Sequence, residues 1–456
     1  MITQTIFRTY DIRGVVENEL TPDAVFAIGQ ALGSLTREAG ETHLIIGRDG
    51  RLSSPLLAER LSDGARSVGC HVIDIGMVPT PILYFATHHL PYRSGVMVTG
   101  SHNPPNYNGL KMVIAGQTLS GDAITALYER ILAKNYTEGH GTYQALEVQA
   151  AYLQAVTQRA ASAKPLKIVI DAGNGVTGAI APALFTRLGH EVIPLFCEID
   201  GQFPNHHPDP SDTHNLQDLI LAVKTHQADI GLAFDGDGDR LGVVTSRGDI
   251  IWPDRLLMLF AQSILASEHN AKIIYDVKCT HALAPFIKQF GGEPIMWKTG
   301  HSLIKAKLAE TAAALAGEMS GHFFFKHHWY GFDDALYAGA RLLAVLSQQE
   351  KSSAEVFDTI PNSVNTPELK VPVADCEKFA LMEALTAAAS FDDADIITID
   401  GVRVNFAEGW GLVRPSNTTP CLVLRFEAND ARFLHTLQQR FREWMLSVNP
   451  ALALPF

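Results

Sequence analysis

Positive charge is in short supply in this chain. Its 36 Lys and Arg residues stand against 49 Asp and Glu, a formal net charge of −13. Nucleic acid and anionic membrane bind through dense Lys and Arg, so neither is expected as a partner. Any phosphate must instead be met by a few cations and N–H groups gathered in one place. Cysteine is sparse as well: Cys70, Cys197, Cys279, Cys376 and Cys421 are scattered, odd in number and never in a C-x-x-C pair. That pattern excludes a disulfide frame and a thiolate zinc site, and is expected of a reduced, cytoplasmic protein. No stretch reaches the roughly 18–20 apolar residues of a membrane span, and residues 1–8 hold no apolar core of a signal peptide. A G-x-S-x-G elbow is missing too, with no Asp/His order suggesting an acyl-transfer triad.

What is present is apolar and repetitive. Apolar residues make up 46% of 456 positions, enough for several cores and too many for one. The segments 43–49, 167–171 and 272–276 are β-branched runs that each end in Asp (Asp49, Asp171, Asp276). Each precedes a helical pattern, at 54–68, 178–188 and 281–290, which stops at Gly69, Gly189 or Gly291. A second strand pattern follows at 71–75, 191–195 and 294–297. Each copy is thus a βαβ crossover, which predicts largely parallel sheets covered by helices. Residues past 366 change register, with strands expected at 368–373, 396–404 and 421–427 and an amphipathic helix at 433–448. The chain therefore reads as three related α/β domains, 1–146, 147–249 and 250–363, and a smaller α+β domain, 364–456.

Each copy also reaches a third apolar run that ends in an unusual loop. The first holds Thr99-Gly100-Ser101-His102-Asn103-Pro104-Pro105, with Lys111 close behind. Ser101 alone would read as a helix N-cap, but the Pro pair disfavours a helix there. In the second loop, Asp235, Asp237 and Asp239 alternate with glycines before Arg240. In an extended backbone these carboxylates would share one side and offer hard oxygen ligands suited to Mg2+; a solvated acidic turn is the plainer alternative. An EF-hand would need Gly and Glu where Arg240 and Ser246 stand. The third loop, 317–322, places Glu318 and Ser320 where they could grip vicinal sugar hydroxyls, or form a plain turn. A fourth, Arg414-Pro415-Ser416-Asn417-Thr418-Thr419, would cradle a phosphate dianion or stand as a turn with a surface arginine. His301, at a strand end, suits a structural or a catalytic role equally.

Taken together, Phe7 to Gly14 with Thr99 to Pro105, Asp235 to Arg240, Gly317 to His322, and Arg414 to Pro420 resemble the α-D-phosphohexomutase family along nearly the whole chain. The resemblance implies three α/β/α domains and a C-terminal TATA-binding-protein-like α+β domain around a central cleft. It further implies a phosphoserine at Ser101 and one Mg2+ held by its phosphate with Asp235, Asp237 and Asp239. Lys111 and Arg240 would flank the transferring group, with Tyr10 and Arg13 positioning it. Glu318 and Ser320 would hold the sugar, with Lys278, His301 and His322 nearby. Arg414, Ser416, Asn417 and Thr418 would bind the phosphate that does not react.

The expected reaction is interconversion of hexose 1- and 6-phosphates through a hexose 1,6-bisphosphate, in a monomer or weak dimer. His301, His322 and Lys111 are candidates for moving hydroxyl protons. Gly100 and Met319 look like the phosphomannomutase/phosphoglucomutase branch, the phosphoglucosamine branch typically having Ala and Gln there. Amino-sugar substrates, a covalent-serine sugar phosphatase and a non-enzymatic sugar-phosphate-binding protein stay as alternatives.

Overall fold

The computed structural model describes residues 2–417 and 419–456. Among the described residues the strands form four sheets, each drawn from one continuous stretch of chain. The three copies of the repeat share a topology. In the first, His43–Arg48 runs parallel to His71–Met77 on one side and Gly95–Val98 on the other, and Gly95–Val98 pairs antiparallel with Tyr107–Ile114. The second repeats this with Lys167–Asp171 between Glu191–Leu195 and Ile230–Phe234, followed by antiparallel Leu241–Thr245. In the third, Lys272–Asp276 lies between Glu293–Trp297 and Leu315–Gly317, followed by antiparallel Phe323–Phe325.

Three of the four strands in each copy were predicted from apolar runs. The fourth turns back on the third, so each special loop is the link of an antiparallel pair. It stands at the carboxyl end of a central parallel strand, where open α/β sheets bind ligands. The crossover helices Ser54–Ser67, Ala181–Arg187 and Leu283–Gln289 close near the expected glycines. Buried residues of all three repeats, among them Phe85, Phe185, Phe234, Phe260 and Phe323, join in one apolar cluster.

Ile250–Ile251 pairs with Leu241–Thr245 and extends the second sheet. One expectation needs correction. The strand expected at 396–404 is instead two, Asp395–Ile397 and Val402–Phe406, paired antiparallel. The dipeptide Asp400-Gly401 between them is a turn signal that the apolar residues around it had masked. The fourth sheet is antiparallel throughout and is covered by Ala431–Val448, which buries Leu437, Phe441, Trp444 and Met445 against it.

The domains also meet through polar contacts. Arg403 of the fourth domain donates to the carbonyls of Val277 (2.6 Å) and Cys279 (2.7 Å), while its guanidinium lies 3.7 Å over the Trp410 ring. Between the first and second domains, the Thr80 N–H donates to the Asp237 carbonyl at 2.8 Å. Gly236 lies so close to the serine loop that a Cβ there would sit 2.3 Å from the Ser101 carbonyl oxygen. Gly236→Ala must therefore push two domains apart. It is expected to cost about 1–3 kcal/mol, read as a lower urea midpoint with little change in m-value.

Candidate active site

Ser101 sits at φ +48°, a left-handed conformation that a non-glycine residue keeps only when its surroundings impose it. Here a buried arginine does so. The Arg51 guanidinium donates to the carbonyls of Ser101 (2.8 Å), Asn103 (2.5 Å), Pro104 (2.6 Å) and Tyr107 (3.0 Å), and its Nε lies 3.3 Å from Asp49. Asp49, the residue ending the first repeat strand, also accepts the Gly100 N–H at 3.1 Å. Arg13 reaches the loop from an edge strand, donating to Asn103 Oδ1 at 2.5 Å. The chain beyond Ser101 turns into a strand, so the serine caps no helix. Its hydroxyl donates to Asp235 Oδ2 at 2.8 Å.

The acidic loop is not extended, as its alternation suggested. It is a tight turn wrapped around its first carboxylate: Asp235 Oδ1 accepts the N–H groups of Gly238 (2.9 Å), Asp239 (3.1 Å) and Arg240 (3.2 Å). Asp235, Asp237 and Asp239 are all fully buried, and one oxygen of each lies within 4.8 Å of the others. Lys111 enters this cluster from the first domain and bonds Asp237 Oδ2 at 2.7 Å and Asp239 Oδ2. Asp237 Oδ2 also accepts from Thr80 (2.6 Å) and Thr99 (3.1 Å).

Burial, then Asp239 and Asp237, push Asp235 well above the ordinary carboxylate range. Burial would raise Asp239 too, but Lys111 and His322 outweigh it and hold that carboxyl well below. Asp237 Oδ1 is buried with no hydrogen-bond partner among the described residues. Converging hard oxygens with an orphaned buried lone pair fit a small divalent cation.

The third domain closes the cluster from the other side. Arg240 and His322 form an antiparallel bridge, with Arg240 Nε 3.4 Å from His322 Nε2. His322 Nδ1 lies 2.7 Å from Ser320 Oγ and 3.3 Å from Glu318 Oε2. Burial would lower its pKa, but Asp239 and Glu318 raise it to about 9. Glu318 Oε1 accepts the Gly300 N–H at 2.6 Å. His301 is buried beside Asp333, Nδ1 to Oδ2 3.7 Å, and burial with Lys305 holds its pKa well down.

Tyr10 joins three domains: its hydroxyl donates to the Thr299 carbonyl at 2.7 Å and accepts from Asn417. Gly300, at φ +133°, is what admits the ring, since a Cβ there would lie 2.5 Å from it. Lys278 is paired across the domain seam with Glu368 at 2.6 Å. Arg414 is buried, its Nε on Asp400 at 3.1 Å and one terminal nitrogen without a hydrogen-bond partner among the described residues. Ser416 Oγ lies 2.7 Å from Thr419 Oγ1. Thr418 falls outside the described residues.

The predicted residues thus form two groups. Ser101, Lys111, the three aspartates, Arg240 and His322 are in mutual contact, with His301, Glu318 and Ser320 next to them. Tyr10 connects this group to Asn417 in the loop that begins at Arg414. Sequence reasoning missed Arg51, Thr80, Asp333 and Asp400. A signal existed only for Asp49 and Asp276, as the repeated strand-ending aspartates: Asp276 meets the Met319 N–H (3.4 Å) much as Asp49 meets that of Gly100.

Sequence profiles of the phosphoglucomutase/phosphomannomutase alpha/beta/alpha domains I, II and III match residues 4–138, 150–248 and 252–364, and that of the C-terminal domain matches 368–443. The chain is 53% identical over 452 residues to a phosphomannomutase/phosphoglucomutase of Pseudomonas aeruginosa, covering 99% of this chain and 98% of that protein. It is 51% identical to a phosphoglucomutase of Neisseria gonorrhoeae, over 100% of this chain and 99% of the relative. A crystal structure of a phosphoglucomutase/phosphomannomutase family protein from Burkholderia thailandensis superposes with a TM-score of 0.96 at 51% identity, over the whole of both chains. Matches of this breadth, on a fold whose repeated loops converge on one serine, show that the chain belongs to the α-D-phosphohexomutase family, in its bacterial phosphomannomutase/phosphoglucomutase branch.

Proposed function

We propose that this enzyme is an isomerase that interconverts hexose 1-phosphates and hexose 6-phosphates, of mannose, glucose or both, by phosphoryl transfer through Ser101. The observation that carries this reading is the 2.8 Å contact between Ser101 Oγ and Asp235, inside a buried acidic cluster with cations on both flanks. The names of full-length relatives support it. Gly100 matches the phosphomannomutase/phosphoglucomutase pattern rather than the phosphoglucosamine one; a Cβ at this position would lie 2.4 Å from Arg51 Nε, so the glycine also makes room for the arginine that shapes the loop.

Asp235, Asp237 and Asp239 would hold Mg2+, together with a phosphate oxygen on Ser101. When bound, the cation supplies positive charge next to the transferring phosphoryl group, where electrostatic stabilisation is the main catalytic task. The residues do the rest. Ser101 Oγ carries the phosphate between turnovers. A substrate hydroxyl oxygen forms a bond to phosphorus as the Ser101 Oγ–P bond breaks, and its proton passes to His301, the candidate that burial and Lys305 keep neutral. His322, which Asp239 and Glu318 keep protonated against its burial, and Lys111, which Asp237 and Asp239 keep charged against its burial, are the candidates that give a proton to the departing Ser101 Oγ.

Lys111 and Arg240 bring further positive charge to the reacting phosphate, and Tyr10 and Arg13 keep the serine loop and cleft in register. Glu318, Ser320 and Lys278 hold the sugar. Arg414, Ser416, Asn417 and Thr418 anchor the phosphate at the far end. The hexose 1,6-bisphosphate then turns over in the cleft and returns its other phosphate to Ser101. Domains 1–146, 147–249, 250–363 and 364–456 contribute the serine, the cation, the sugar contacts and the distal phosphate site in that order. A reduced set of scattered cysteines accords with a cytoplasmic setting.

Ser101→Ala is expected to leave less than about 1% of wild-type turnover, the loss typical of removing a covalent nucleophile. Phosphorylated enzyme mixed with mannose 1-phosphate should yield the 6-phosphate; release of inorganic phosphate without it would sink the mutase reading in favour of a phosphatase. Removing divalent cations with EDTA should abolish activity, and Mg2+ should restore it. Arg414→Ala is expected to lower kcat/KM about 10- to 100-fold in both directions, chiefly through KM, by losing a charge-assisted bond to phosphate.

A further inference from the structure

The second domain lays a strap, residues 198–212, across the serine loop of the first. Gly201 passes so close that a Cβ there would lie 2.8 Å from Arg51 Cα. The Phe203 ring sits 5.1 Å from the Arg51 guanidinium, and Asp209 Oδ1 lies 4.0 Å from a terminal nitrogen of Arg240. The strap thus touches the arginine that shapes the loop around Ser101 and one that flanks the reacting phosphate.

His206 fastens this strap to its own domain. Its Nε2 lies 3.0 and 3.1 Å from the two oxygens of Asp171, and its Nδ1 2.9 Å from the His207 carbonyl. A carboxylate and a carbonyl only accept, so both ring nitrogens donate, and a ring that donates twice is an imidazolium. Its side chain is 13% exposed and that of Asp171 1%, so little water competes for these bonds. Burial would lower the pKa of His206, but Asp171, the His207 carbonyl and Asp218 outweigh it and raise it. The His207 ring is its titratable neighbour on the strap, and the Phe196 ring, 5.4 Å away, is uncharged. Asn205 adds a neutral tie, Nδ2 to Asn174 Oδ1 at 2.8 Å. The proton at His206 is therefore the part of the fastening that pH can remove.

We infer that His206 is a positioning residue: as an imidazolium between Asp171 and the His207 carbonyl it holds the strap against Arg51 and Arg240, and loss of its proton loosens the strap and slows phosphoryl transfer. The fastening stands on these contacts alone; its effect on turnover rests on the role proposed for Ser101. Because the partners of the ring raise its pKa, the fastening is complete at low pH and is lost as pH rises through that raised value.

The test is amide hydrogen exchange of the 198–212 peptide in the full-length enzyme, read by mass spectrometry and corrected for the intrinsic effect of pH. Opening of the wild-type strap should be constant at low pH. Above the ordinary histidine range it should grow by up to about tenfold per pH unit, the slope of a single proton. His206→Gln should open at least about tenfold more at low pH, through loss of a charge-assisted bond, and show no such slope. Asp171→Asn separates a proton-held strap from a merely structural one. Its Oδ1 can keep the Gly173 N–H, now 2.9 Å from Asp171, while Nδ2 donates to a bare His206 Nε2. A neutral ring then suffices, so this strap should stay closed at every pH. In the wild type kcat for hexose phosphate should fall along the exchange curve, and Asp171→Asn should lack that limb. Wild-type exchange that is flat with pH, or Asp171→Asn opening as His206→Gln does, overturns the proposal. Where a variant fails to fold, the wild-type slope decides. Opening that grows with pH while kcat holds leaves the fastening standing and overturns its link to Ser101.

Discussion

Everything at the centre of this molecule answers to buried negative charge. Asp235, Asp237 and Asp239 occupy one turn with no exposure to water. Two unit charges about 4 Å apart repel by about 4 kcal/mol at an effective dielectric of about 20, and the turn's own N–H groups serve Asp235 alone, with Arg240 the turn's one cation. Much of the compensation comes from elsewhere: Lys111 from the first domain, His322 from the third, and hydroxyls of Thr80 and Thr99. Domain arrangement and site electrostatics are thus one problem. The carboxylates are tolerable only where the neighbouring domains meet them, and the domains are held in register by what the carboxylates demand.

That same dependence explains what sequence alone could and could not reveal. The repeated strands were legible because β-branched runs ending in Asp49, Asp171 and Asp276 are local signals, and so were the loops, since hydroxyl, carboxylate and arginine clusters at the ends of apolar runs are unusual. Asp235 itself illustrates the limit. Its residue type was readable, but its backbone was not, because the turn is set by its own Oδ1 capping three N–H groups rather than by residue alternation. Arg51, Thr80, Asp333 and Asp400 were invisible because their partners lie far along the chain: Arg51 and Ser101 are 50 positions apart, Thr80 and Asp237 are 157. No periodicity reports such a contact. The mistaken strand at 396–404 has the opposite cause, a turn dipeptide hidden among apolar neighbours.

The two groups are built differently. Around Ser101, Lys111, Thr80 and Thr99 are committed to carboxylates, while Asp237 Oδ1 and Asp239 Oδ1 stay without a hydrogen-bond partner among the described residues, which suits a place that takes a cation. Around Arg414 a buried guanidinium keeps a terminal nitrogen uncommitted, and Tyr10 reaches across from the first domain to Asn417. The hydroxyl of Tyr10 also touches the third domain at Thr299. One phenol therefore senses the relative positions of three domains, and any rotation of the fourth must first give up that contact.

Arg51 has one more implication. It grips the serine loop through main-chain oxygens of Ser101, Asn103, Pro104 and Tyr107, and a peptide carbonyl is the same whatever residue bears it. Shape is thereby uncoupled from side-chain identity along most of the segment. Pro104 and Tyr107, gripped through their carbonyls, can bear other side chains over evolutionary time, or be exchanged by a protein engineer, without losing that grip on the backbone that presents Ser101. Asn103, by contrast, is also held through its side chain by Arg13. The loop is a fixed bracket with interchangeable fittings.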